Sequence, residues 1–162
     1  MRKEEFKILF DENFDTLRNY IYYRYPDSEI ATDIAQEVFI KVWERADDKP
    51  PKEVVPLLYK IARDMVVSLY RHENVKERFK TISPPTNYQP SPEEQLQYRE
   101  FVERYESALN QMPKGQREVF LMSRNDELKY SEIAQRLNIS VKAIEKRMQG
   151  ALQFLRDKLE RK

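Results

Sequence analysis

Cysteine is absent from the 162 residues, glycine occurs twice and histidine once. Without cysteine there is no disulfide, no thiol nucleophile and no cysteine-built zinc site. One histidine, His72, cannot build a multi-histidine metal centre, and its neighbours Arg71 and Glu73 include no nucleophile for it to activate. Gly115 and Gly150 are too few and too far apart for a glycine-rich phosphate loop. No apolar run approaches the length that spans a bilayer, and no signal peptide opens the chain, so a soluble cytoplasmic protein without membrane insertion is expected. Asp47 and Asp48 form an acidic pair, but with no third ligand or phosphate cradle they do not make a magnesium or acid–base site. No catalytic residue, metal or cofactor is implied.

Net charge is also nearly lacking, at +1, yet its distribution is uneven. Residues 1–53 carry 9 Lys/Arg against 13 Asp/Glu, residues 54–80 carry 6 against 3, residues 81–111 carry 2 against 5, and residues 112–162 carry 12 against 7. Two basic blocks alternate with two acidic ones, the pattern of two contacts with a polyanion and two with something else. Solvated helix faces are the plainer explanation of the same counts.

Apolar residues recur at helical spacing along most of the chain, and the expected fold class is all-α. Phe6, Leu9, Phe10, Phe14, Leu17, Tyr20 and Ile21 mark a helix over residues 4–24, stopped by Pro26, with Asp27 or Ser28 capping the next. That next helix, residues 29–45, places Ile30, Ile34, Val38 and Val42 on one line. Ala31, Ala35, Phe39 and Trp43 widen it beyond one stripe. Asp33, Gln36, Glu37, Lys41 and Glu44 lie between them, so an aromatic ringed by carboxylates and amides is a candidate protein-docking surface. Phe39 and Trp43 as plain core residues is the alternative. Pro50 and Pro51 mark a loop. A third helix over residues 54–78 points Val55, Leu58, Ala62, Met65, Val66 and Leu69 inward and offers Tyr59, Lys60, Arg63, Asp64, Tyr70 and Arg71 outward. Rings interleaved with cations suit an unpaired nucleic-acid strand, since rings stack on bases while Arg and Lys hold phosphates; lysine stems lying over a core would look the same.

Residues 81–92 hold four prolines in twelve positions and read as an extended linker reaching at most about 40 Å. The expected domains are therefore 1–80 and 93–162. Ser91-Pro92-Glu93-Glu94 opens the second as a capping box with proline at the first helical position. Leu96, Phe101, Val102, Tyr105 and Leu109 follow on one helix, then Val119, Phe120 and Met122 on another over residues 116–124. The stretch from Leu128 to Arg147 reads as two helices around a tight turn. Ile133, Ala134 and Leu137 face a core; Asn138 tolerates the left-handed backbone of a helix end; Ile139 plugs the corner; Ser140 caps the next helix. That helix is expected to bury Val141, Ile144, Met148, Leu152, Leu155 and Leu159. Its other face presents Lys142, Lys146, Gln149 and Gln153, flanked by Ala143, Arg147 and Gly150. This is the layout of a helix-turn-helix recognition helix.

These motifs, in this order with a proline-rich linker between them, resemble a bacterial RNA polymerase sigma factor of the extracytoplasmic-function, sigma-70-like family, and the run from Val141 to Leu152 is similar to the type common in Bacteroidetes. Asp33-Ile34-Ala35-Gln36-Glu37-Val38-Phe39 with Trp43 resembles the family's polymerase-clamp helix. Leu58-Tyr59-Lys60-Ile61-Ala62-Arg63 with Arg71 resembles its minus-ten helix. Met112-Pro113, Arg117-Glu118-Val119-Phe120 and Tyr130-Ser131-Glu132-Ile133-Ala134 through Arg147 resemble its minus-thirty-five domain. The resemblance implies a transcription-initiation factor, not an enzyme, with core RNA polymerase, promoter DNA and an anti-sigma factor as partners. It implies core-polymerase contacts at Asp33, Gln36, Glu37, Phe39 and Trp43. Minus-ten contacts fall at Tyr59, Lys60, Arg63, Asp64 and Arg71. Minus-thirty-five contacts fall at Tyr130, Ser140, Lys142, Ala143, Lys146, Arg147 and Gln149. The sequence departs from the family at four places. Asp64 replaces a usual Asn, Ser68-Leu69 a frequent Asp-Tyr pair, Lys129 a capping Ser or Thr, and Gly150 a basic residue. A helix-turn-helix regulator that binds DNA as a dimer without polymerase, and a helical interaction protein with vestigial DNA surfaces, are the two alternatives.

Overall fold

Seven α-helices, and no strand, make up the regular structure of the described residues, 1–45, 49–72 and 92–160, in a computed structural model of the chain. They are α1 (Lys3–Arg24), α2 (Ser28–Arg45), α3 (Pro51–His72), α4 (Pro92–Gln111), α5 (Lys114–Arg124), α6 (Tyr130–Leu137) and α7 (Val141–Glu160). The all-α expectation holds, with most helix ends within a residue or two of those read from the sequence. The Asp47-Asp48 pair, the end of the third helix beyond His72 and the linker up to Ser91 lie outside the described residues.

Helices α1, α2 and α3 pack on one another. Phe39 is the hub of their aromatic cluster, meeting Phe6, Phe10 and Phe14 of α1 at ring-centroid distances of 6.1, 5.0 and 6.0 Å. Asp27 is the cap of α2, its Oδ1 accepting from the Glu29 and Ile30 amides at 3.1 and 3.2 Å. The third helix begins three residues earlier than the sequence pattern indicated. Pro51 does not stop it but opens it, because the first helical turn leaves its amides unpaired and the fixed φ of proline suits that position.

In the second half, α7 is the central element, with α4, α5 and α6 packed against it. Ile144, Met148, Ala151 and Leu155 are its buried line. Val141 and Leu152, expected inside, are exposed, as are Leu96 and Phe101 of α4; the inward stripe of each helix is narrower than its apolar content.

The two halves are not separate beads. Helix α5 packs on α1, and α6 on α3. A polar clasp crosses the seam. Arg24 at the end of α1 donates from Nη1 to Oε2 of Glu118 in α5. The other carboxylate oxygen, Oε1, accepts from Arg147 Nη1 of α7 at 3.0 Å. The Glu118 side chain is only 5% exposed. Beside this pair, Asp126 Oδ1 accepts from Asn19 Nδ2 at 2.9 Å and from the Tyr23 hydroxyl at 3.2 Å. Lys114 sits over the Tyr70 ring, 3.5 Å from its centroid, and the Tyr70 hydroxyl donates to the Arg24 carbonyl at 2.7 Å.

Candidate polymerase and promoter interfaces

The turn between α6 and α7 is built as its residues dictate. Asn138 sits in the left-handed region at φ 55°, ψ 46°, where its short polar side chain is tolerated. Ser140 Oγ accepts from the Ala143 amide at 3.1 Å and caps α7. Lys129 leaves α6 without a side-chain cap, which costs about 1 kcal/mol relative to Ser or Thr. The reverse half of the capping box survives, with the Lys129 amide donating to Glu132 Oε1 at 3.1 Å.

On α7, Ser140, Lys142, Lys146 and Gln149 are exposed along one side, while Ala143 and Arg147 are half-buried on its flank. Among the described residues, neither lysine is held in an ion pair, and both amines are free for an anion. Arg147 is not free: Glu118 holds it. Tyr130 is half-buried at the start of α6. Gly150 does not belong to the phosphate face. A Cβ there would come within 2.5 Å of Gln116 Nε2, so the space left by glycine at this position is taken by the Gln116 amide of α5.

On α2, Asp33, Gln36, Glu37 and Trp43 are exposed and share their face with Ile40, 58% exposed, which the sequence reading missed. Trp43, 46% exposed, rests edge-on against Phe6 at 4.8 Å. Phe39 is 2% exposed. Its expected polymerase contact is therefore corrected: it supports the face from beneath and cannot touch a partner. Lys41 lies 3.9 Å from Glu37, leaving Asp33 and Glu44 to keep the face acidic.

On α3, Lys60, Arg63, Asp64 and Arg71 are exposed, as expected, but Tyr59 is 1% exposed. Its ring meets Tyr20 of α1 edge-on at 5.1 Å, and burial raises the pKa of its hydroxyl despite the nearby Arg136. Tyr59 is thus a core residue in this arrangement and not a stacking platform. Lys60, Arg63 and Asp64 face a cavity of about 670 Å³ whose other wall is Arg136–Ile139 of α6 and the turn, with Arg147. Arg136, Asn19 and Asp126 were not assigned a role from the sequence, and Glu118 appeared there only within a family motif. Nothing in the spacing of Asn19, Glu118 and Asp126 marks them, because their partners lie about 30 to 110 positions away in the chain, whereas Arg136 pairs with Glu132 one turn back on α6. Burial raises the carboxyl pKa of Asp126, opposed by its bonds to Asn19 and Tyr23.

The Sigma-70 region 2 profile matches residues 9–75, and the Sigma-70, region 4 profile matches residues 103–155. The chain belongs to the sigma-70 family. Among curated relatives, it is 27% identical over 150 residues to the ferric citrate uptake sigma factor FecI of Escherichia coli, covering 91% of this chain and 87% of that protein. It is 27% identical over 133 residues to the RNA polymerase sigma factor CnrH of Cupriavidus metallidurans, covering 76% and 69%. Its fold is shared with the sigma factor RpoE of Bartonella quintana, solved with the anti-sigma factor NepR, at a TM-score of 0.65 and 18% identity over 98% of both chains. CnrH, solved with the cytosolic domain of CnrY, gives a TM-score of 0.65 and 22% identity over 98% of this chain and 90% of that one. This protein is a sigma factor of the extracytoplasmic-function type, and it directs RNA polymerase to promoters at transcription initiation. No helix among the described residues is long and apolar enough to cross a membrane.

Proposed function

We propose that the three recognition tasks of this sigma factor fall on three separate helix faces. The outer face of α2, with Asp33, Gln36, Glu37, Ile40 and Trp43, docks on core RNA polymerase; an exposed indole in an acidic rim is the kind of anchor that dominates binding energy. The side of α3 that carries Lys60 and Arg63, with Arg71 near its end, holds the melted minus-ten strand, cations on phosphates. The N-terminal turns of α7 enter the minus-thirty-five major groove. There Lys142 and Lys146 reach phosphates or guanine edges, Gln149 pairs with adenine, and Ser140 and Ala143 let the backbone approach closely. The sigma factor performs none of the chemistry; the polymerase does. It works in the cytoplasm, and an anti-sigma factor that covers one or more of these faces is its regulator.

The observation that supports the groove assignment best is the row Lys142, Lys146 and Gln149, all exposed on a Ser140-capped helix behind a left-handed Asn138 turn. Lys146→Ala is expected to lower run-off transcription from a minus-thirty-five-dependent promoter and to reduce the salt slope of promoter binding by about 1. Unchanged output and slope would reject the groove assignment.

A further inference from the structure

One charge on the α7 face assigned to the major groove has the wrong sign for DNA. Glu145 is exposed, as are Lys142, Lys146 and Gln149. Residues three and four apart are neighbours on a helix surface. Glu145 therefore sits beside Lys142 on one turn and Gln149 on the next, inside the row that would face the bases. Nothing in the fold accounts for it. Among the described residues its carboxylate has no ion-pair partner, Lys142 included. It lies beyond the first turn of α7, the stretch where the helix dipole favours a carboxylate. In a groove, its charge is repelled by the phosphates of both strands, and only a hydrogen bond from a base offsets that repulsion.

Two bases donate in the major groove, adenine from N6 and cytosine from N4. Adenine N7, an acceptor, lies beside N6 on the same edge and repels a carboxylate. Cytosine carries no acceptor on its major-groove edge. We propose that Glu145 selects a cytosine in the minus-thirty-five element by accepting a hydrogen bond from its N4 amine. The inference rests on the assignment of α7 to that groove and adds a base choice to it. The neighbouring cations complete the match. Guanine, paired with that cytosine, presents O6 and N7, both acceptors, and the amine of Lys142 or Lys146 is the fitting donor. A carboxylate and an ammonium side by side thus suit a C·G pair. With thymine or guanine in place of the cytosine, the carboxylate meets O4, or O6 and N7, acceptor against acceptor. Glu145 then acts by rejection as much as by attraction. Lysines on phosphates give affinity without that choice.

The test uses the full chain bound to core polymerase. A promoter duplex is randomised across its minus-thirty-five element, and the bound fraction is sequenced. Wild type should prefer cytosine about tenfold at one position of one strand. Glu145→Ala should lose that preference and bind the other three bases there more tightly than wild type does. Glu145→Gln should move the preference to adenine, whose N6 and N7 a glutamine matches. Both variants should keep the wild-type melting temperature, because the residue is exposed. A uniform rise in the binding of Glu145→Ala to every sequence, with the cytosine preference intact, would overturn the proposal and leave Glu145 a solvated charge. So would a wild-type protein that prefers cytosine nowhere while Lys146→Ala still weakens binding; the groove assignment would then stand without it. No preference at any position, with Lys146→Ala binding like wild type, would remove the groove assignment and the inference together.

Discussion

Glu118 is one carboxylate serving two guanidiniums from opposite halves of the molecule. Removing it leaves Arg24, itself only 11% exposed at the side chain, with a nearly buried and uncompensated charge. Glu118→Ala should therefore cost about 3–5 kcal/mol of unfolding free energy, since breaking a buried pair is far more damaging than its net value indicates. Urea denaturation followed by circular dichroism measures this, and a loss below about 1 kcal/mol, the figure for exposed pairs, would mean the carboxylate is solvated in solution. Asp64 is the opposite case: it is exposed on α3 beside Lys60 and Arg63, and on the proposed minus-ten face its carboxylate would repel phosphate. Asp64→Asn, which restores the residue usual in the family, should tighten open-complex formation several-fold, about one phosphate's worth of electrostatics, with no change in melting temperature. Weaker complexes would show that the carboxylate accepts a hydrogen bond from a base.

Along a helix, burial period decides which aromatic is structural. On α2, Phe39 sits between Phe6, Phe10 and Phe14, whereas Trp43, one turn on, reaches the rim. Phe39→Ala should cost about 3–5 kcal/mol of stability through a core cavity. Trp43→Ala should leave stability nearly intact and reduce affinity for core polymerase. Paired pull-down and thermal-melt measurements separate the two, and an equal loss of stability in both would remove Trp43 from the docking face. The sequence showed that α2 has more apolar positions than one stripe holds, but not which aromatic lay on the extra one. That choice depends on the arrival of α1, which is tertiary. The α6–α7 turn was legible down to single residues, because a left-handed Asn138, a Ser140 cap and the buried Ile133, Ala134 and Ile144 are local rules with local causes. Gly150 misled for the opposite reason. Its smallness serves Gln116 on another helix, and no pattern within α7 records that.

At the scale of the whole molecule, two helical units and a proline-rich connection could be read from the chain, but their packing on each other could not. The polar contacts of the seam are made by single residues, Asn19, Tyr23 and Arg24 of α1 against Glu118 of α5 and Asp126 of the α5–α6 loop, and no helical pattern requires any of them. What the sequence does bound is the distance to which the halves can part. Twenty peptide steps separate His72 from Pro92, so these helix ends can stand no more than about 70 Å apart at full extension. Two weak contacts on such a tether reinforce each other only while the span fits the tether. Lengthening the spacer between the promoter elements by 5 base pairs turns one element about half a helical turn away, and should reduce run-off transcription by about tenfold or more. A 10-base-pair insertion restores the facing but adds ~34 Å of duplex. Because that comes on top of ~85 Å for the about 25 base pairs between element centres, against a connection that reaches about 70 Å at most, the longer insertion should not restore activity. Recovery at 10 base pairs would show that facing alone matters, and equal activity at every spacing would show that α3 and α7 are not read together.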